Sequence, residues 1–134
     1  MTPRHCLLAA LVFFTLMVGI GALPGKAQAL SNMVYDKLLH FIAYGLLTGL
    51  LYLGMRGRPM SRALRTVLAV ALLGAADEAL QAAMPYRQAN WMDWKFDMLA
   101  SLSCVLVLFL LHTLRSGLKK AETVTHGGQT DSTE

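Results

Sequence analysis

Charge is scarce in this chain. Lys, Arg, Asp and Glu together make up 15% of its 134 residues, against 55% hydrophobic residues, and mean hydropathy is +0.48. Ordinary soluble domains carry about a quarter charged residues. The polar surface therefore falls short of what a water-soluble globule needs, and a bundle of membrane helices is the class that fits. Length bounds the chain to a single domain. Cysteine is nearly missing: Cys6 and Cys104 both fall in apolar runs, where a thiol behaves as a small hydrophobe. Neither a disulfide nor a metal site is expected from them. The sequence also lacks a His-Glu-x-x-His pair, a phosphate-cradling glycine loop and a nucleophile elbow, and no cofactor is expected. The net charge is +4. The basic residues gather between hydrophobic runs rather than along one amphipathic face, so nucleic acid is not an expected partner.

What the chain does have is four long apolar runs. The first, Cys6 to Leu23, follows Arg4 and ends at Pro24-Gly25-Lys26. It reads either as a secretory leader with a small-residue site at Ala27-Gln28-Ala29 or as a retained helix. Leader cores usually run to about 15 residues at most, whereas this run spans 18, enough to cross a bilayer, so the retained helix is favoured. The second run, Leu38 to Met55, is interrupted only by His40. It holds Gly45-Leu-Leu-Thr-Gly49, small residues four apart, a spacing that predicts close approach of a neighbouring helix. The third, Thr66 to Met84, is apolar or small only as far as Ala76. It then carries Asp77, Glu78 and Gln81 before Pro85 stops it. The fourth runs from about Phe96 to Leu114 and meets Arg115, Lys119 and Lys120. The expected fold is all-α, a polytopic four-helix transmembrane bundle over residues 1–120, with helices at about 6–23, 38–55, 64–84 and 96–114. The polar stretch 121–134 reads as a disordered cytoplasmic tail.

Counting positive charges orients this bundle. Arg4, the arginines of the loop from Arg56 to Arg65, Arg115, Lys119 and Lys120 fall on one side, and Lys26, Lys37, Arg87 and Lys95 on the other. The richer side is expected to be cytoplasmic, which puts both termini inside. Tyr35, Tyr86, Trp91 and Trp94 then lie at the outer boundary, as an interfacial aromatic belt does.

That topology gathers residues far apart in the chain. Asp36, Lys37 and His40 open the second helix, Asp77, Glu78 and Gln81 close the third, and Arg87, Asp93 and Asp97 flank the start of the fourth. All reach the outer side, and the cytoplasmic half of the bundle has no acidic residue. Asp36, His40 and Tyr44 are spaced to share one stripe, and Gln81 follows Asp77 and Glu78 by one turn. Asp93 and Asp97 sit near a helix N-terminus, where carboxylates are favoured. Asp77 is about 10 Å below the end of its helix at 1.5 Å per residue. An unpaired Asp at a helix centre costs about 2.5–3.5 kcal/mol on insertion scales. Pairing with Arg87 or Lys37, a hydrogen bond to His40, or a wet cavity would relieve it. The plain structural alternative is an ion-pair network that only fixes helix packing. His112 is expected to be interfacial, and Lys95 to reach for the outer headgroups.

These residues resemble the VanZ-like family of small bacterial membrane proteins. The likeness lies in an Asp-Lys-x-x-His-Phe opening (Asp36, Lys37, His40, Phe41, then Tyr44), an Asp-Glu-x-x-Gln segment (Asp77, Glu78, Gln81), a Pro-x-Arg turn (Pro85, Arg87) and the pair Asp93 and Asp97. It covers about Asp36 to Ser101. Asp97 stands where many relatives have Asn, and Ala100-Ser101 replaces a stretch that usually holds Gly. The resemblance implies a bacterial inner-membrane protein with an envelope role, associated with tolerance of the glycopeptide teicoplanin.

Three functions are compatible with these residues. The first is a polar pocket that binds an envelope lipid or cell-wall precursor through Asp36, Lys37, His40, Tyr44, Asp77, Glu78, Gln81, Arg87, Asp93 and Asp97. Cations hold phosphate or carboxylate there, and carboxylates accept hydroxyl or amine hydrogens. The second is an intramembrane enzyme that uses His40 with a carboxylate as acid and base on a lipid-linked substrate. The third is proton- or ion-coupled transport. It needs a relay that the acid-free inner half does not continue and a homo-oligomer to enclose the path; homo-oligomerisation is left open as a partner expectation.

Overall fold

In a computed structural model of the protein, residues 2–23, 33–85 and 90–127 are described, with 33–36 and 119–127 described by their backbone alone. The described residues form four α-helices and no strand: α1 (Pro3–Gly21), α2 (Met33–Gly54), α3 (Pro59–Ala82) and α4 (Trp91–Gly127).

Local chemistry sets the helix starts. Pro3 and Pro59 occupy the first turns of α1 and α3, each after an extended residue, Thr2 and Arg58. A missing N–H costs nothing there and the ring presets φ. α4 starts after Asn90, whose Oδ1 accepts the Met92 N–H at 3.0 Å, a side-chain N-cap. The turn from α2 to α3 passes through Gly57 at φ 117°, a conformation that glycine adopts without steric cost. One carbonyl at the end of α2 and one in the turn after it are taken by arginines from α3. Arg62 Nη2 donates to Tyr52 O at 2.7 Å, and Arg65 donates to Arg56 O. The Arg62 guanidinium lies 4.3 Å over the Tyr52 ring. Cationic donors at a helix C-terminus satisfy carbonyls that the helix leaves orphaned.

α2 is the central helix. Its contact with α4 is the most extensive, followed by α3 with α4, α1 with α2, and α2 with α3. Each helix buries a narrow stripe at helical spacing: Tyr44, Leu47, Thr48 and Tyr52 on α2, Thr66, Val70, Gly74, Asp77 and Gln81 on α3, Asp93, Asp97, Ser101 and Val105 on α4. Nearly half of the buried side chains are polar. The opposite faces carry exposed leucines, such as Leu64, Leu68 and Leu72 on α3 and Leu99, Leu102 and Leu106 on α4. A soluble monomer does not expose apolar surface on that scale. This distribution, polar within and apolar without, suits hydrocarbon solvent.

Three of the described helices are long and apolar enough to cross a membrane: α1, α2 from Lys37 to Gly54, and α4 from Trp91 to Leu118. The exception is α3. Arg62 and Arg65 stand in its first turns and Asp77 and Glu78 near its end, so only the middle is continuously apolar. Several bounds differ from the expected ones. α4 starts at Trp91 rather than about 96 because Asn90 caps it. Its helical backbone continues to Gly127, past the start of the stretch expected to form a tail, since residues 118–122 hold good helix formers and no proline.

The expectation of close packing at Gly45 and Gly49 is corrected. A Cβ placed on Gly45 meets nothing within 4 Å, and one on Gly49 reaches only Cys104 Sγ at 4.0 Å. Both glycines lie beside the buried stripe of α2 rather than on it. The close approaches are elsewhere. At Gly54 a Cβ would fall 2.7 Å from Leu7 Cγ on α1, and at Gly74 it would fall 3.1 Å from Trp94 Cδ1 and 3.2 Å from Asp97 Oδ2 on α4.

Candidate functional site

The polar side chains meet at one end of the bundle, where α2 begins, α3 ends and α4 begins. From α2, Lys37, His40 and Tyr44 follow one another around a single helical face. The His40 and Tyr44 rings stack with centroids 6.0 Å apart and planes 7° from parallel. Each ring then reaches a carboxylate on a different helix. His40 Nδ1 lies 3.1 Å from Asp97 Oδ1 on α4, and the Tyr44 hydroxyl donates to Asp77 Oδ2 on α3 at 3.3 Å. The stacked pair thus ties α2 to both neighbours at one level. Side-chain exposure is 11% for His40 and 0% for Asp97. Opposite an ionised Asp97, which only accepts, Nδ1 is the donor of this bond.

Asp77, Glu78, Gln81, Asp93 and Asp97 are all buried. Glu78 Oε2 accepts the backbone N–H of Asn90 at 2.9 Å. That places a carboxylate at the N-terminus of α4, where orphan N–H groups and the helix dipole favour negative charge. Asp93 occupies the first turn of the same helix, and its N–H donates to Asn90 O at 2.8 Å. Lys37 does not pair with a carboxylate in the way expected for Asp77. Its Nζ sits 5.9 Å from the centroid of the Phe96 ring, a cation–π contact. The relief expected for Asp77 from His40 is supplied instead by Tyr44, while His40 serves Asp97. The Asp36 side chain and all of Arg87 lie outside the described residues, as do Lys26, Ala27-Gln28-Ala29, the Tyr35 side chain, Tyr86 and residues 128–134.

Three participants carry no flag in a reading of charges alone. Asn90 both caps α4 and gives its N–H to Glu78; its signal was an Asn three residues before Asp93, the pattern of a helix start. Trp94 donates from Nε1 to Ala71 O at 3.2 Å and lies against Gly74 beside Asp97. Ser101, one turn beyond Asp97, is wholly buried. Toward the other end of the bundle the buried polar groups are hydroxyls. Thr48 returns its proton to Tyr44 O at 2.6 Å, and Thr66 faces Met55 Sδ at 3.5 Å.

The cluster has the means to accept hydrogen bonds and to exchange protons. Among the described residues no three His, Cys, Asp or Glu side chains are gathered so as to hold a metal ion. Lys95 and His112 are exposed, away from the cluster. No protein family, no curated protein and no solved structure matches the chain.

Proposed function

We propose that this is a VanZ-like integral protein of the bacterial inner membrane. Its four helices cross the bilayer with both termini in the cytoplasm, and its outward polar pocket binds an envelope lipid or a cell-wall precursor. Through that ligand it contributes to tolerance of glycopeptides such as teicoplanin. The observation that supports this reading best is the convergence of His40, Tyr44, Asp77, Glu78, Asp93 and Asp97 from three helices inside a bundle whose outer surface is apolar. An intramembrane ionisable group marks a functional site by default, and burying several is not a source of net stability. In this reading α3 spans with its polar face covered by α2 and α4, its terminal charges at the two interfaces. Arg87 and Lys37 hold phosphate or carboxylate, and the acids take hydroxyl or amine hydrogens.

The test is thermal stabilisation of the purified full-length protein by a panel of envelope phospholipids and a polyprenyl-diphosphate-linked cell-wall precursor. At least one is expected to raise the unfolding temperature by several degrees, with the shift lost in His40→Ala. A panel in which nothing stabilises the protein removes the pocket reading.

A second reading has one observation of its own. The bond between Nδ1 and Asp97 orients the His40 ring, as in a general base held by a carboxylate. Turnover of a lipid-linked substrate by purified protein, abolished in His40→Ala, would favour the enzyme.

A further inference from the structure

Four buried carboxylates stand at the outer end, and among the described residues nothing hydrogen-bonds to Glu78 Oε1 or to Asp97 Oδ2. The Ser101 hydroxyl, one turn beyond Asp97 on the same stripe of α4, is also fully buried and has no partner among the described residues. Buried polar atoms in folded proteins almost always have one, and a carboxylate oxygen withdrawn from water without a donor is among the most costly groups to leave so. The three atoms follow one interface. Glu78 is one turn from Gly74 on α3, and Asp97 Oδ2 lies 3.2 Å from where a Cβ on Gly74 would stand. The glycine therefore leaves Asp97 its place against α3, and any side chain there would fill it.

Among the described residues carboxylates predominate at this interface, with the His40 ring opposing them. Asp77 and Asp93 act electrostatically on both Glu78 and Asp97. His40 spends its Nδ1 on Asp97 Oδ1, which leaves Oδ2 to another donor. Lys37 is turned to Phe96. A ligand that suits these atoms brings N–H donors and positive charge together.

We infer that the α3–α4 side of the cluster binds a protonated primary amine, whose N–H groups donate to Glu78 Oε1 and Asp97 Oδ2. This rests on the pocket reading above and names the chemical class of the group bound. An ammonium has three donors and no acceptor, so it satisfies both oxygens and lowers the negative field in one step. A quaternary ammonium has the charge without the donors and fits less well. Aminated lipid headgroups and soluble amines share this chemistry.

Trp94 supplies the reporter, since its ring packs on Gly74 beside Asp97 and the chain has only one other tryptophan, Trp91. The experiment uses full-length Trp91→Phe protein in phosphatidylcholine nanodiscs. Phosphatidylethanolamine is titrated in one arm, phosphatidylglycerol in a second, and soluble ethanolamine in a third. A saturable change in Trp94 fluorescence is expected with phosphatidylethanolamine at a tenfold or greater preference over phosphatidylglycerol. That response should weaken at least tenfold in Glu78→Gln or Asp97→Asn, both isosteric. Saturation by ethanolamine at equal strength assigns the amine to a soluble source; its failure assigns it to the lipid. Native mass spectrometry of the wild-type protein, counting bound phosphatidylethanolamine against phosphatidylglycerol, gives the same answer without any variant. A preference below tenfold, or a response unchanged in both variants, overturns the inference. If the amine preference is absent while the cell-wall precursor still stabilises the protein and His40→Ala still abolishes that, the pocket stands and only the amine is refuted.

Discussion

The Tyr44 ring lies flat beside His40 while its hydroxyl reaches Asp77, so one residue with no exposed surface serves both a histidine and an acid on another helix. An apolar helix carries a carboxylate at depth only when a donor meets it there, because the interior offers no water to replace the lost hydrogen bonds. The His40–Asp97 bond is the shorter tie, at 3.1 Å against 3.3 Å for Tyr44 to Asp77. Removing His40 leaves a buried carboxylate without that donor. His40→Ala is therefore expected to cost about 3–5 kcal/mol of stability, the usual consequence of breaking a buried pair from one side. In a double-mutant cycle with Asp97→Ala, measured by unfolding in detergent, the coupling is expected to be at least about 1 kcal/mol. Additive losses would mean that the two side chains do not sustain one another. The helical spacing of His40 to Tyr44 and of Asp93 to Asp97 is legible in the sequence as shared stripes. Which ring meets which acid is not, because those partners are separated by 57 and 33 residues and depend on how α2 is rotated against α3 and α4.

At the scale of elements, glycine shows where one helix comes within reach of the next. The pair Gly45 and Gly49 has the spacing of a packing motif, yet open space lies over the first and only a distant thiol over the second. Gly54 and Gly74 have no such spacing and bear the close contacts. Gly45→Ala is expected to be neutral or to stabilise by up to about 1 kcal/mol through helix propensity. Gly54→Ala, which drives a methyl group against the side chain and backbone of Leu7, is expected to cost about 1–3 kcal/mol. Thermal unfolding of the two variants in the same detergent checks the order, and a reversed order would show that α2 packs through its glycine pair after all. α3 carries the other lesson at this scale. Its apolar stretch is short, and its polar residues near the end turn inward because α2 and α4 cover that face. A run of hydropathy values averages over faces and so misses this.

Across the whole molecule, the arginines of the α2–α3 turn and the acids of the opposite end lie at the two extremes of the bundle. Arg62 is anchored on Tyr52 O near the end of α2 and Arg65 on Arg56 O in the turn, and Asp77, Glu78, Asp93 and Asp97 are gathered where α3 meets α4. The positive-inside rule then predicts a cytoplasmic α2–α3 turn. With Cys6 and Cys104 replaced by alanine, a single cysteine at Arg58 is expected to resist a membrane-impermeant thiol reagent in intact cells, and one at Asn90 to react. Labelling at Arg58 with protection at Asn90 would invert the topology and turn the polar cluster toward the cytoplasm.

Composition and periodicity alone determined the helical class, the four segments and the side of the bundle on which the acids fall. Those properties come from local preference and from the cost of placing charge in hydrocarbon, and each residue contributes to them where it stands. Tertiary structure decided which face of each helix is covered, that Tyr44 rather than His40 serves Asp77, and that Gly74 makes room for Asp97. These depend on helix rotation and on contacts a few ångströms wide between residues distant in the chain, where a single methyl group changes the outcome.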